Sequence, residues 1–414
     1  MVTRRTAEIV RARLRDEPVI ALQGPRAVGK TTLLRAIAAE HGVSVVDLDD
    51  LTTRDAAKAD PSLFVSGDRP VCIDEYQHVP ELLDVIKAHL NRDGSPGQFV
   101  LTGSTRHDAL PRAAQALTGR LHLLPVYPLS QGELVGGREG LVEALFGDPM
   151  SLVRSRQAQT PRSEYIDRIA AGGFPLAVTR SETSRNRWFD DYITLSIERD
   201  VKELARIQQR DALPKLLRRL AAQTAQMLNI SAAGQQAGLT PDTAERYTKL
   251  LEAVFLVHRL PAWGTTLRAR AVSTPKLHVV DSGMAARLLR LSPSKLAQPD
   301  ATSLQQVGHL LETFVVMECL KQLSWMDSNV LAGHWRTSDD QEVDLVLERD
   351  DGRVTAVEVK AGARISGKDL SGLRVLRGQL GDRFIGGVAL YTGARSYTVD
   401  DRLYVLPVDT LWTP

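Results

Sequence analysis

Short apolar runs alternate with amphipathic segments in the first third of the chain. Residues 19–22 (VIAL) are apolar throughout, as a strand buried on both faces of a parallel sheet should be. Further strands are predicted in VSVVDLDD, RPVCIDEYQHVP, QFVLTGSTR and LHLLPV. An amphipathic helix, PELLDVIKAHLNRDG, closed by Gly94, separates the third strand from the fourth. Helical periodicity returns from about Tyr165. The segment LNISAAGQQAGLTPDTAERYTKLLEAVFLVHRL then has the form helix–turn–helix. Ser231 is placed to cap the first helix, Gly238 to make the turn, and Thr240 with Pro241 to start the second. Leu250, Leu251 and Val254 are expected to pack inward, and VFLVHRL and KLHVVD to supply wing strands. Near the end, the helix QQVGHLLETFVVMECLKQL precedes two strands of period-two alternation, HWRTSDDQEVDLVLE and VTAVEVK. In the second, Val357 and Val359 face one side and Glu358 and Lys360 the other.

Two stretches, GDPMSLVRSRQAQTPRS (147–163) and LSPSKLAQPDATS (291–303), are candidate linkers. They divide the 414 residues into an amino-terminal domain (1–155), a helical middle (156–292) and a carboxy-terminal domain (293–414). A content of 43% hydrophobic and 25% charged residues is that of an ordinary globular protein. The net charge of +2 gives no overall electrostatic case for nucleic-acid binding, which must therefore come from local patches. There is no apolar run long enough for a bilayer and no signal-peptide pattern, so no membrane partner is expected. With Cys72 and Cys319 as the only cysteines, a disulfide framework and a cysteine-cluster metal site are excluded, and the cytoplasm is the expected location.

The loop after the first strand matches G-x-x-x-x-G-K-[ST] as Gly24-Pro25-Arg26-Ala27-Val28-Gly29-Lys30-Thr31, followed by Thr32. Glycines let backbone close around phosphates, and amides at a helix start point inward with the helix dipole behind them. Lys30 is placed to neutralise the outer phosphates of ATP and the Thr31 hydroxyl to ligate Mg. The third strand ends in Asp74-Glu75, a Walker B arrangement. Asp74 would hold the metal and Glu75 would polarise the attacking water. The fourth strand delivers Thr102, Ser104 and Arg106 to the carboxyl edge of the sheet, where Thr102 or Ser104 is the candidate for contact with the γ-phosphate or water. Arg120 is a candidate arginine finger, in its own chain or a neighbour's, or else a surface ion-pair residue.

GPRAVGKTTLL, VCIDEYQHVPELL, FVLTGSTR, LTGR and PVYPLSQGEL together resemble the bacterial and archaeal AAA-type P-loop ATPases of the AAA+ superfamily that are fused to a carboxy-terminal domain of unknown function. The resemblance extends through GGFP (172–175), YITLSIERDV (192–201) and EVDLVLE…AVEVKAG, and so covers nearly the whole chain. It implies an α/β protein with a RecA-like ATPase core, a helical and winged-helix middle and a nuclease-like end.

A DNA reader would place Arg246 and Lys249 of the second helix in the groove, but Asp242 and Glu245 share that helix. The alternative is a structural or protein-contacting module. Arg185/Arg187, Lys215/Arg218/Arg219 and Arg268/Arg270 are either parts of a backbone-binding surface or solvated faces.

The terminal strands raise a question of register. A two-residue Asp351-Gly352 turn would set Leu345 opposite Glu358. A three-residue loop, Asp350-Asp351-Gly352 with Gly352 left-handed, sets Asp344 there instead. Asp344, Glu358 and Lys360 would then converge. Two carboxylates can hold Mg, with Glu312 completing the shell, and the metal can activate water against a phosphodiester while Lys360 orients it. The set resembles the PD-(D/E)XK nuclease pattern, with Val343 where a proline often stands. The bland alternative is a charged surface hairpin. The function expected is an ATP-driven DNA-processing enzyme. The alternatives are a nucleotide-controlled switch that holds a protein partner with an inert nuclease fold, and a winged-helix regulator; a homo-oligomer is compatible with each.

Overall fold

The computed structural model describes residues 2–107, 117–153, 157–201, 209, 211–264, 266 and 274–413, without the Asp200 side chain. Arg268 and Arg270 lie outside the described residues, as does part of the first candidate linker.

The amino-terminal sheet comprises β1 (Val19–Gln23), β2 (Val45–Asp47), β3 (Val71–Asp74), β4 (Phe99–Gly103) and β5 (Leu121–Pro125). Its five parallel strands run in the order β2-β3-β4-β1-β5. All five residues of β1 are buried, which accounts for the unbroken apolar run. Because β4 lies between β1 and β3, its last residues sit between the P-loop and the Asp74-Glu75 pair. Cys72 and Cys319 are buried free thiols.

In the middle, the helix Ala212–Ala221 buries Leu213, Leu216, Leu217 and Leu220. The helices Ile230–Gln236 and Pro241–Ala253 follow, with Gly238 at φ 76° between them. Asn229, not Ser231, caps the first of the pair through its bond from the Ala232 N–H, because helix begins two residues earlier than expected. Thr240 caps the second. A Cβ on Gly234 would lie 2.5 Å from that of Ala244, so glycine permits the close crossing. Beside them, β6 (Gln226–Met227), β7 (Val257–Leu260) and β8 (Lys276–Val279) form an antiparallel sheet in the order β6-β8-β7. The second candidate linker is largely helical: Ser292 caps a turn at Pro293–Leu296 and Asp300 caps the long helix Ala301–Ser324.

The last domain is a mixed six-stranded sheet of β9 (Val330–Arg336), β10 (Glu342–Arg349), β11 (Val354–Lys360), β12 (Phe384–Tyr391), β13 (Tyr397–Asp400) and β14 (Leu403–Pro407). The order is β13-β14-β12-β11-β10-β9. Leu345, Leu347, Val357 and Val359 belong to the core shared with the long helix, whereas Val346, Val354 and Ala356 pack with Leu373 and Leu376 of the helix Ser371–Leu380. Both faces are therefore covered, as in other sheets with crossover helices.

One apolar cluster runs from Ala7 to Trp412, so the three units share a core. Its polar seam is the GGFP segment. Leu129 donates its amide to the Gly173 carbonyl at 2.8 Å, and Gly173 donates to buried Asp281 at 2.7 Å. A Cβ on Gly173 would stand 2.2 Å from the Leu129 carbonyl oxygen. From the long helix, Glu318 accepts the Gln131 amide at 2.8 Å and Lys321 donates to the Leu129 carbonyl at 3.0 Å.

Candidate functional site: a nucleotide cradle and a carboxylate cluster

The P-loop leaves β1 and turns into the helix Lys30–Glu40. Gly24 is fixed by crowding, since a Cβ there would lie 2.0 Å from the Val126 carbonyl oxygen. Ala27 and Gly29 take positive φ, 59° and 94°. Lys30 is buried and donates to the carbonyls of Gly24 and Pro25, both at 2.8 Å, so its ammonium lies inside the loop. The Val28 carbonyl accepts from Arg4 at 2.7 Å, and Arg4 also reaches the Tyr127 carbonyl at 2.7 Å. Burial lowers the Arg4 pKa, against the charge of Glu133. Thr32 is exposed on the first helical turn.

At the end of β3, Thr102 donates its hydroxyl to Asp74 and accepts the Glu75 amide at 3.1 Å. Ser104 donates to Glu75 Oε2 at 2.6 Å, and Gln77 donates to the same oxygen. Glu75 is left-handed at φ 54°, an uncommon conformation that turns its side chain into this network. The two neighbouring acids are driven apart. Burial pushes the Asp74 carboxyl up, against hydrogen bonds from Thr102 and Thr31. Burial also acts to raise Glu75, but the charges of Lys30 and Arg26 and the Ser104 hydrogen bond outweigh it and hold the carboxyl below its ordinary value. A protected carboxylate beside an ammonium is the arrangement a water-polarising group requires.

The structure thus gathers Gly24 to Thr31, Asp74, Glu75, Thr102 and Ser104 at one edge. Arg120 is not among them. It precedes β5, whose Leu121 pairs with Val19 at the start of β1, and its guanidinium donates to Asn91 at 2.7 Å. Of the readings open for Arg120, a finger acting within its own chain is therefore set aside: in a parallel sheet the residue before a strand lies at the edge opposite a loop that follows one. That polarity was available in the sequence. Arg106 likewise leaves the phosphate side; its amide donates to the Ala253 carbonyl at 2.9 Å, and its guanidinium faces Glu252 at 3.7 Å and the Phe255 ring at 5.6 Å. Sequence reasoning missed Arg199, which comes from the middle domain to donate to Asp49, two residues beyond β2, at 2.9 Å. It also missed the chain Gln23–Tyr76–His107, with both links 3.1 Å.

The helix–turn–helix face is not strongly basic. Lys249 pairs with Glu245 at 3.5 Å, and Glu245 also binds Arg259 of β7 at 2.9 Å.

The terminal hairpin has the three-residue loop. Gly352 is at φ 81° and Leu345 pairs with Val357, which makes Asp344 and Glu358 the next positions as the ladder opens. Asp344 accepts the Val359 amide at 2.9 Å and Lys360 donates to Glu358 at 2.6 Å. Between Asp344 and Glu312 stands a residue the sequence reading did not single out: Lys276 of β8, which donates to Asp344 at 2.9 Å and to Glu312 at 2.7 Å. The sequence reading expected Glu312, Asp344 and Glu358 to hold a metal; the first two instead hold this ammonium. Among the described residues no group of three or more His, Cys, Asp and Glu is disposed to hold a metal ion. Burial, then the Asp344 charge, pushes the Glu358 carboxyl up to about 8. Burial and the same charge raise Glu312, while Lys276 keeps Asp344 low despite burial.

Three family profiles match consecutive stretches of the chain. Residues 16–135 match an AAA domain, and they hold the sheet and P-loop described above, so the amino-terminal domain is similar to P-loop domains of the AAA ATPase type. Residues 162–295 and 307–411 each match a domain of unknown function, DUF8612 and DUF4143. Two curated relatives, the uncharacterized proteins Rv2008c of Mycobacterium tuberculosis and Mb2031c of Mycobacterium bovis, are each 28% identical over 419 residues, covering 100% of this chain and 85% of the relative. Among solved structures, the Walker-type ATPase PABY2304 of Pyrococcus abyssi is similar at TM-score 0.40 and 15% identity, over 70% of this chain and 96% of that one. The RuvB Holliday junction branch migration motor of Thermotoga maritima is similar at TM-score 0.30 and 18% identity, over 63% and 90%. No described helix is long and apolar enough to cross a membrane.

Proposed function

We propose that the protein is a Mg-dependent ATP-binding and ATP-hydrolysing switch whose nucleotide state is conveyed to its middle and carboxy-terminal domains. The observation that carries this reading is the path of β4. Thr102 holds Asp74, Ser104 holds Glu75, and Arg106, two residues on, bonds to Ala253 at the end of the helix Pro241–Ala253. A change at the carboxylates is therefore two residues from the middle domain.

The donor set fits a nucleotide and its metal. Lys30 holds its ammonium inside the loop on the Gly24 and Pro25 carbonyls, and Thr31 and Asp74 adjoin on the side where the ion would be held. Bound Mg supplies positive charge to the phosphate oxygens. Lys30 offsets charge on the outer phosphates, and Glu75, kept ionised, accepts a proton from or orients a water. Arg120, on the far edge, serves a nucleotide only in a neighbouring copy. The test is ATP turnover by wild type, Lys30→Ala and Glu75→Gln; equal turnover by all three would sink the assignment.

A second reading, an ATP-driven enzyme that cuts DNA, is favoured by the convergence of Asp344, Glu358 and Lys360. It requires cutting with Mg or Mn that disappears in Asp344→Ala and Lys360→Ala. A switch that grips a protein partner instead keeps its partner in the Asp344 variant, as a nucleotide-dependent pull-down would reveal.

A further inference from the structure

We propose that the acidic cluster of the carboxy-terminal domain is closed by an internal cation, Lys276, carried on a clasp from the middle domain, and that divalent ions enter only when the clasp is removed. The reasoning starts from oxygen atoms. Both oxygens of Asp344 are committed, one to Lys276 and the other to the Val359 amide. Glu312 gives an oxygen to Lys276 and Glu358 gives one to Lys360. The remaining Glu358 oxygen, Oε2, is buried without a hydrogen-bond partner. A Mg ion takes six oxygens, several of them from water, but here the carboxylate oxygens that would bind it are already held by an ammonium that would repel it. The residues present therefore do not fit the metal that the nuclease pattern implies. They fit a lysine whose side chain is 4% exposed.

The clasp is more than one side chain. Just beyond β7, Trp263 donates its amide to the His334 carbonyl of β9 at 2.6 Å, and His334 donates back to Pro261 at 2.9 Å. The His334 ring meets the Thr274 carbonyl, at the approach to β8, at 3.0 Å. The Trp263 indole donates to Glu348 of β10 at 2.8 Å. Gly333 allows this approach, since a Cβ there would lie 2.8 Å from the Pro261 carbonyl oxygen. The segments that follow β7 and precede β8 thus grip β9, and β8 inserts Lys276 behind the grip. The same small domain receives Arg106 from the nucleotide side.

The test is Mn titration of the full nucleotide-free chain, read by water-proton relaxation, for wild type, Asp344→Asn, Lys276→Met and Lys276→Met/Asp344→Asn. Wild type and Asp344→Asn should bind Mn alike. Lys276→Met should gain a site at least about tenfold tighter, on the scale of a changed metal environment, and lose it in the double variant. Asp344-dependent binding by wild type, or a folded Lys276→Met chain that gains no site, overturns the proposal. Lys276→Gln replaces Lys276→Met if the latter does not fold. Should neither fold, mass-spectrometric lysine acylation of wild type decides: Lys276 resistant beside a reactive Lys368 supports the clasp, and equal reactivity overturns it.

Discussion

Ser104 donates its hydroxyl to Glu75 at 2.6 Å, on the oxygen that also receives Gln77. A carboxylate with an oxygen so held has a fixed direction. Glu75→Gln keeps the shape and removes the charge, and should slow ATP turnover by roughly 10²–10³ with nucleotide affinity retained. Ser104→Ala loosens the same group and should cost roughly 10–100-fold in turnover, the range for partners that orient a working side chain. Steady-state phosphate release and nucleotide binding, measured side by side, separate the two effects.

Arg106 should matter to transmission more than to chemistry. Its guanidinium contacts Glu252 and Phe255 and is absent from the phosphate side. Arg106→Ala should leave nucleotide affinity unchanged and diminish the ATP-dependent change in amide exchange over residues 241–253. An exchange response as large as that of wild type would show that the signal takes another path.

Gly173 lies where the domains meet. Adding a methyl group places carbon 2.2 Å from the Leu129 carbonyl oxygen and strains the bond to Asp281. Gly173→Ala should destabilise the chain by about 1–3 kcal/mol or more. Gly378→Ala, inside the helix Ser371–Leu380 with open space around its Cβ, should be stabilising by roughly 0.5–1 kcal/mol. Paired thermal melts compare them.

Glu358 sets a pH dependence. Its carboxyl is raised from 4.5 to about 8 in the folded state, so folding holds a proton that the unfolded chain releases above its own lower pKa. The associated stability is complete below the unfolded value and declines as pH rises through about 8. Glu358→Gln removes that decline. Relative to wild type its melting temperature should be higher at pH 9 than at pH 5, by about 2–4 °C for each kcal/mol recovered. A difference that does not vary with pH would remove Glu358 as the source.

The sequence by itself determined the features that are local. The P-loop, the Asp74-Glu75 strand end and the apolar β1 are each set by a few consecutive residues, because loop curvature and strand burial act over that length. Even the hairpin register was legible, since Gly352 chooses the left-handed loop and the loop chooses which residues pair. The choice of Asn229 rather than Ser231 as the cap shows the limit of such reading, where two capping residues lie two positions apart. What only the tertiary structure decided is which distant groups meet. Lys276 and Asp344 are 68 residues apart, and Arg199 and Asp49 are 150 apart. Nothing in either local pattern distinguishes these cations from solvated ones; a side chain's partner is fixed by how sheets and helices pack, and charge neutralisation follows from that packing.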